Sequence, residues 1–456
     1  MNALFRSSAW LAALIVAVAA LLYFQRLDTV KAPIWDETYY LTSTARYHEG
    51  RAQFASHPPL GMMLIAAGDM ASGRNTQADW KRIGAEEAIA AEAMPAGFDY
   101  VGPRLAPALF GAIAAGLFAL IMLELTASTW AAALLSLLFL ADTAVLVQIR
   151  AAQLDAFQLA FVLGAILAAL RAVKRRGWLA TFAFGACLVA AALVRANAAM
   201  LGVMAPFLLW PPAKAQDLPE LAKRIAAGAG GGLAAAALAL AAYIALTPLA
   251  PDPATPAGQA DLAFISPAHA RAIETGEWGP AAIAGVAQGI QARMRDDLAT
   301  ITESDAHGSH PSDWLLGSGM ILFRSDRSSG TMHAIGLIPN LVVWLVSLFG
   351  VITSLLPSRL MDNRTRTMLL LAWGANMGAL QYLDGLRVLY LYHYFIPLML
   401  GHAMAAMEWK RMGLPRRGAL VVAAAVLAFA AALWPFALGE VTPGWLCGTA
   451  IPGCAG

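Results

Sequence analysis

Apolar runs of about 18–22 residues recur from one end of this chain to the other, each long enough to cross a hydrocarbon core ~30 Å thick as an α-helix. In lipid every backbone N–H and C=O must find a partner inside the protein, so segments of this length read as helices. Composition agrees. Of 456 residues, 59% are hydrophobic and 13% charged, where a soluble chain carries roughly a quarter charged residues. The sequence therefore predicts an all-α polytopic membrane protein. Spans are expected near 8–25, 104–124, 129–148, 153–172, 178–194, 197–210, 225–247, 335–356, 367–383, 388–408 and 419–437, about eleven in all. The pair 178–210 counts as two passes, broken by Arg195 and Asn197. A net charge of +2 gives no footing for a nucleic-acid partner.

The basic residues set the orientation. Lys174, Arg175 and Arg176, then Lys214, Lys223 and Arg224, then Arg359, Arg364 and Arg366, then Lys410, Arg411, Arg416 and Arg417 all fall on one side of this arrangement. By the positive-inside rule that side is the cytoplasm. The amino terminus is then cytoplasmic and the carboxyl terminus outside. The first apolar segment runs on to Phe24 without a small-x-small cleavage site, so it reads as a retained helix. The expected organisation is a first helix over 1–25, an outer loop over 26–103, helices over 104–247, a second outer loop over 248–333, helices over 334–437, and an outer tail over 438–456. Apolar pieces too short to span, such as 59–65, suit interfacial or re-entrant helices. The Ala/Gly-rich run 226–242 suits close helix–helix packing. Of three cysteines, Cys187 reads as a packing residue, and Cys447 and Cys454 could form a disulfide in an oxidising compartment.

Ionisable residues beside such segments are costly to hold in place and mark reaction centres or permeation paths. Asp36 and Glu37 follow Pro33, Ile34 and Trp35 just after the first helix emerges. This pair could bind a cation, act as a general base, or be a solvated loop. Tyr39, Tyr40, Arg46 and His48 follow, then His57, held before the next apolar patch by Pro58 and Pro59. Near the far end, Arg387 precedes the aromatic run Tyr390, Tyr392, His393, Tyr394 and Phe395. An interfacial aromatic belt accounts for the tyrosines but not for His393.

Asp36-Glu37, some twenty residues, then His57-Pro58-Pro59-Leu60-Gly61 resembles the first outer loop of the protein O-mannosyltransferases, lipid-linked-sugar transferases with the GT-C fold. Tyr100 to Arg104, Asp142 through Arg150 to Asp155, Ser309-His310-Pro311-Ser312, and Arg387 with Tyr392-His393-Tyr394-Phe395 extend the likeness in order over nearly the whole chain. The segment 248–333 is too short and too poor in strand pattern for the β-trefoil insert of eukaryotic members, so the chain resembles a compact bacterial form. The continuation after Ser312 follows the family's Trp-rich pattern only loosely.

The resemblance implies transfer of a sugar, mannose foremost, from a polyprenyl-phosphate donor to a Ser or Thr hydroxyl of an exported protein. A lipid or glycan acceptor, as in aminoarabinose transferases, is the alternative within the same architecture. A lipid or sugar transporter is the alternative outside it, but no internal repeat is visible and the charges sit at helix ends. The chemistry needs a base for the incoming hydroxyl and cations for the departing phosphate. Asp36 is the expected base, and a single carboxylate implies inversion, because retention needs a second one as nucleophile. Glu37 could orient the acceptor or pair with Arg104. Arg104, Arg150 and Arg387 are expected to converge on one outward cavity as the phosphate site. His57, His310, His393 and Tyr392 are expected substrate contacts; Asp155 could instead form a structural pair with Arg150. A divalent cation on Asp36 and Glu37 is possible but not demanded, since no further oxygen ligands stand at metal spacing.

Overall fold

The computed structural model describes residues 2–175, 177–209, 218–300, 305–326, 332–356, 363–413 and 416–442. Cys447 and Cys454, and the basic residues Arg176, Lys214 and Arg359, lie outside these residues. The chain opens with α1 (Asn2–Phe24). The first outer loop then carries α2 (Glu37–His48), α3 (Leu60–Ser72) and α4 (Trp80–Gly84). A bundle follows: α5 (Val101–Thr126), α6 (Thr129–Leu140), α7 (Thr143–Arg150), α8 (Asp155–Arg175) and α9 (Trp178–Val194). After α9 a 3-10 stretch, Ala196–Met204, leads into the short α10 (Ala205–Leu209), and α11 (Leu218–Leu246) follows.

The second outer loop folds into α12 (Pro256–Leu262), α13 (Pro267–Thr275), α14 (Pro280–Thr300) and α15 (Pro311–Trp314). An antiparallel hairpin of β1 (Ile321–Asp326) and β2 (His333–Leu337) closes it. The chain ends in α16 (Leu341–Leu355), α17 (Asn363–Asp384), α18 (Phe395–Met412) and α19 (Arg416–Leu438).

Two expectations need correcting here. The segment 248–333 ends in a single hairpin, too little strand for a β-trefoil, but residues 335–337, expected in a membrane span, belong to β2. The span begins at Leu341, after Asn340. The strand is buried on both faces: Ala334 packs with Leu433 and Phe436 of α19, and Ile335 and Leu337 join the main core. The helix expected from 388 likewise starts only at Phe395, because residues 391–394 form a 3-10 turn.

By length and composition four helices among the described residues can cross a membrane alone: α5, α8, α11 and α19. A fifth is available if α6 and α7, bent by 66° at Ala141–Asp142, are one span. The bend has a local cause, because the Asp142 carboxylate accepts from Ala144 N (3.0 Å) and restarts the helix. The remaining apolar helices are shorter.

Small residues set the bundle's closest approaches. A Cβ on Gly185 of α9 would lie 2.0 Å from the Gly228 carbonyl oxygen of α11, and one on Gly231 would lie 2.0 Å from that of Phe182. The Ala/Gly-rich run thus lets two backbones touch. At one end of the bundle Glu124, closing α5, pairs with Lys174 (3.2 Å) and Arg175 (3.4 Å) at the end of α8. At the opposite end the two outer loops lock together. Arg46 Nη1 donates to Asp261 Oδ2 (3.1 Å), and the Phe54 amide donates to Asp261 Oδ1 (2.8 Å).

Candidate active site

Asp36 and Glu37 face opposite ways from the start of α2. Glu37 is fully buried. Its oxygens accept from Arg104 Nε (2.8 Å) and Nη2 (2.7 Å), from Ile34 N (2.7 Å) and from Ala152 N (2.6 Å). Arg104 gives its remaining N–H groups to the carbonyls of Leu27, Val30 and Ala32. All five donors are consumed, so Arg104 is a buried clasp tying the entry to α2 onto α5, not a phosphate ligand. Glu37 likewise has no oxygen to spare for a cation or an acceptor. Among the described residues no group of three or more His, Cys, Asp or Glu could hold a metal ion.

With Glu37 locked inward, the preceding residue is turned outward. Trp35 carries φ +51, a left-handed conformation costly for a bulky side chain. Its ring is held by Phe323 (5.3 Å), His307 (5.3 Å) and Tyr390 (5.5 Å). Asp36, next in the chain, lines a cavity of about 370 Å³ with Tyr40, His57, Arg195, Arg387, Tyr392 and His393. Tyr392 Oη reaches Asp36 Oδ2 at 3.4 Å. Burial pushes the Asp36 carboxyl up to about 6, with Asp155 adding to the rise and Arg195, the Tyr392 hydroxyl and Arg387 opposing it. His57 is held neutral: burial, then Arg195, Arg387 and His393, drive its imidazole well below the usual histidine range.

Of the three arginines expected to converge, only Arg387 faces this cavity. Its Nε donates to the Val388 carbonyl (3.3 Å), and among the described residues its other N–H groups are uncommitted. Arg150 instead caps α1. It donates to the carbonyls of Leu22 (3.1 Å) and Tyr23 (3.1 Å) in the last turn of α1 and of Gln25 (2.6 Å) and Arg26 (3.1 Å) just past it. The cation that the expectation missed is Arg195. Only 4% exposed, it bonds Asp155 Oδ2 (3.3 Å) and Tyr40 Oη (3.3 Å) and lies over the Tyr392 ring at 5.1 Å. Asp155 therefore pairs with Arg195, not with Arg150. The available signal was an arginine set between two apolar segments, which has no reason to be there unless something polar lies opposite it.

His393 receives the Tyr390 amide (3.1 Å) at Nδ1 and stacks on Tyr392 at 4.8 Å, so the aromatic run is one wall of the cavity. His310 does not join it. It sits on the surface against Asp384 (3.0 Å), which raises its pKa. A second cavity of about 380 Å³, almost wholly apolar, adjoins the first. At three points consecutive residues split between the two: His57 and Pro58, Arg195 and Ala196, Arg293 and Met294.

Residues 13–226, holding Asp36, His57 and Arg195, match the family model for dolichyl-phosphate-mannose-protein mannosyltransferases. The match covers 214 of the chain's 456 residues, just under half. Protein O-mannosyl-transferase 1 of Danio rerio is 34% identical over 168 residues, 36% of this chain and 22% of the relative. The Mus musculus protein of the same name is 34% identical over 148 residues, 32% and 19%. The matched stretch is thus about a fifth of those relatives' length. In fold the likeness runs further. The S. cerevisiae protein O-mannosyltransferase Pmt1-Pmt2 complex bound to the sugar donor superposes with TM-score 0.77 at 13% identity, covering 98% of this chain and 92% of that one. ArnT from Cupriavidus metallidurans bound to undecaprenyl phosphate gives 0.51 at 15% identity, covering 93% and 64%. The architecture is the GT-C fold.

Proposed function

We propose that the protein is a membrane glycosyltransferase that moves a sugar, mannose foremost, from a polyprenyl phosphate to a Ser or Thr hydroxyl of an exported protein. One observation carries the reading: the Asp36 carboxylate shares a cavity with the guanidinium groups of Arg195 and Arg387, and an apolar cavity adjoins it. The apolar cavity takes the first isoprene units of the donor. The phosphate then lies at the seam, against Arg195 and Arg387, with neutral His57 beside it. Asp36 accepts the acceptor's hydroxyl proton as that oxygen bonds C1 of the sugar. The C1–O bond to phosphate breaks and its electron pair stays on the phosphate, whose growing charge the two arginines stabilise. Glu37 is saturated, and Glu87 and Asp297 in the same cavity are held by Arg293, so Asp36 acts alone as the base and the displacement inverts C1.

The test is transfer by purified protein from polyprenyl-phosphate mannose to a Ser/Thr-rich peptide, with a lipid acceptor assayed beside it. Asp36→Asn is expected to lower turnover by roughly 10²–10⁴-fold while undecaprenyl phosphate still binds. Wild-type turnover in that variant removes Asp36 from the mechanism.

A further inference from the structure

Four helices leave a groove between them that runs inward from the basic end of the bundle, away from Asp36. Its volume is about 360 Å³ and its walls are almost wholly apolar. Leu134 and Leu138 of α6, Leu345 and Phe349 of α16, Trp409 of α18 and Ala423 of α19 line it. Ala405 and Ala419, both buried, make part of its floor, and the depth comes from their small side chains. Leu345, Phe349 and Val422 are exposed at its rim, so in a bilayer the groove opens to hydrocarbon. Apolar walls with nothing against them forfeit dispersion contacts, and a chain laid in the groove restores them.

The mouth of the groove is cationic. Trp409 meets the Trp130 ring at 6.2 Å, and the Arg416 guanidinium lies over Trp130 at 5.8 Å. Arg416, Ala419, Ala423 and Val426 recur at helical spacing, so the arginine heads the face of α19 that lines the groove. Arg417 and Lys410 beside it are exposed. The first turn of α19 holds no acidic residue, and among the described residues Lys410, Arg416 and Arg417 join no ion pair. Glu408 of α18 is taken by Arg411 (2.6 Å). Positive charge is thus left unbalanced where the groove begins.

Length decides between occupants. From Arg416 to Val426 the groove follows α19 for ~15 Å at about 1.5 Å per residue, half of a hydrocarbon core ~30 Å thick. Asn340 closes it there, donating to the carbonyls of Val426 (2.9 Å) and Ala141 (2.9 Å). A partner's transmembrane helix needs the full thickness; an acyl chain of one leaflet needs half. We propose that the groove binds an anionic glycerophospholipid, with one acyl chain between α6, α16, α18 and α19 and the phosphate at Arg416. Apolar groove and basic mouth together match a lipid with a tail and a negative headgroup. The lipid braces the four helices, because a ligand that binds only the folded state stabilises it.

The experiment takes the full chain, purified in detergent and stripped of lipid, and titrates it with phosphatidylglycerol, phosphatidylethanolamine or undecaprenyl phosphate. Binding is read by native mass spectrometry and by melting. Wild type should bind phosphatidylglycerol about fivefold more tightly than phosphatidylethanolamine, and melt higher with it. Arg416→Gln should erase that preference. Ala423→Phe, which fills the groove at constant charge, should weaken both phospholipids together. Arg175→Gln removes an exposed arginine at the same end of the bundle but outside the groove, and should keep the wild-type preference. Arg416 is exposed, so its replacement reports even if the added ring at 423 disturbs packing. Equal affinity of wild type for the two phospholipids overturns the site, as does either groove variant binding phosphatidylglycerol as wild type does. Undecaprenyl phosphate should bind Ala423→Phe and wild type alike; its loss in step with phosphatidylglycerol would make the groove a seat for the carrier and overturn the assignment.

Discussion

Asp36 and Glu37 are neighbours with the same functional group and opposite fates, and the difference is solvation. Glu37 is balanced by Arg104 and two backbone amides; Asp36 faces a cavity with one long contact from Tyr392. Its carboxyl, pushed up to about 6, is protonated below that pH and unable to accept a proton from the acceptor. The rate at low donor concentration should therefore rise as pH increases from 5 to 7 and level off above, and the rising limb should vanish in Asp36→Asn. A pH profile flat across that range removes the titrating base. Glu37→Gln should act on the fold instead. It leaves the Arg104 guanidinium buried and unbalanced, at a cost of about 3–5 kcal/mol, read as a lower melting temperature in detergent. A variant that melts like wild type but has lost turnover would return Glu37 to the chemistry. The carboxylate pair was legible in the sequence; the division of labour was not. Arg104, Arg150 and Arg387 also look alike in sequence, each a guanidinium at the outer end of a helix. Which of them faces a cavity depends on whether stranded carbonyls lie within reach, as those of 22, 23, 25 and 26 do for Arg150. That is a tertiary fact, and no local pattern encodes it.

At the scale of elements the apolar runs announced the helices, because lipid permits little else, while the outer loops were harder to read. Their elements are short and held by long-range ties such as Arg46–Asp261 and Arg293–Glu87, so local periodicity under-describes them. The hairpin after residue 320 escaped notice for the same reason: β2 is five residues long, and its apolar face merges with the helix that follows. Arg195 caps the end of α9, and the placement of that helix depends on contact with α11 through Gly185 and Gly231. A leucine at Gly185 would drive its Cβ to 2.0 Å from the Gly228 carbonyl oxygen. Gly185→Leu should destabilise the protein by about 1–3 kcal/mol and weaken undecaprenyl phosphate binding, as the two helices part and Arg195 shifts. Unaltered melting and binding would show that this contact does not position the arginine.

For the whole molecule the expectation is an outward-facing cavity with the basic helix ends inside. Glu274 on α13 and Arg175 at the end of α8 are both exposed and lie at opposite ends of the bundle. With an impermeant thiol reagent on intact spheroplasts, Glu274→Cys should label and Arg175→Cys should not; the reverse pattern would put the cavity in the cytoplasm. The cavity also has a history in time. Asp36 is made early, yet its partner residue Glu37 cannot be neutralised until Arg104 and Ala152 have been synthesised. Arg195 follows some forty residues after Ala152, and Arg387 only when more than four-fifths of the chain has left the ribosome. On the proposed reading, a chain still being inserted would hold the base without the complete phosphate site. The nascent protein would then be chemically silent until the segment after α17, which carries Arg387, seats beside the start of α2.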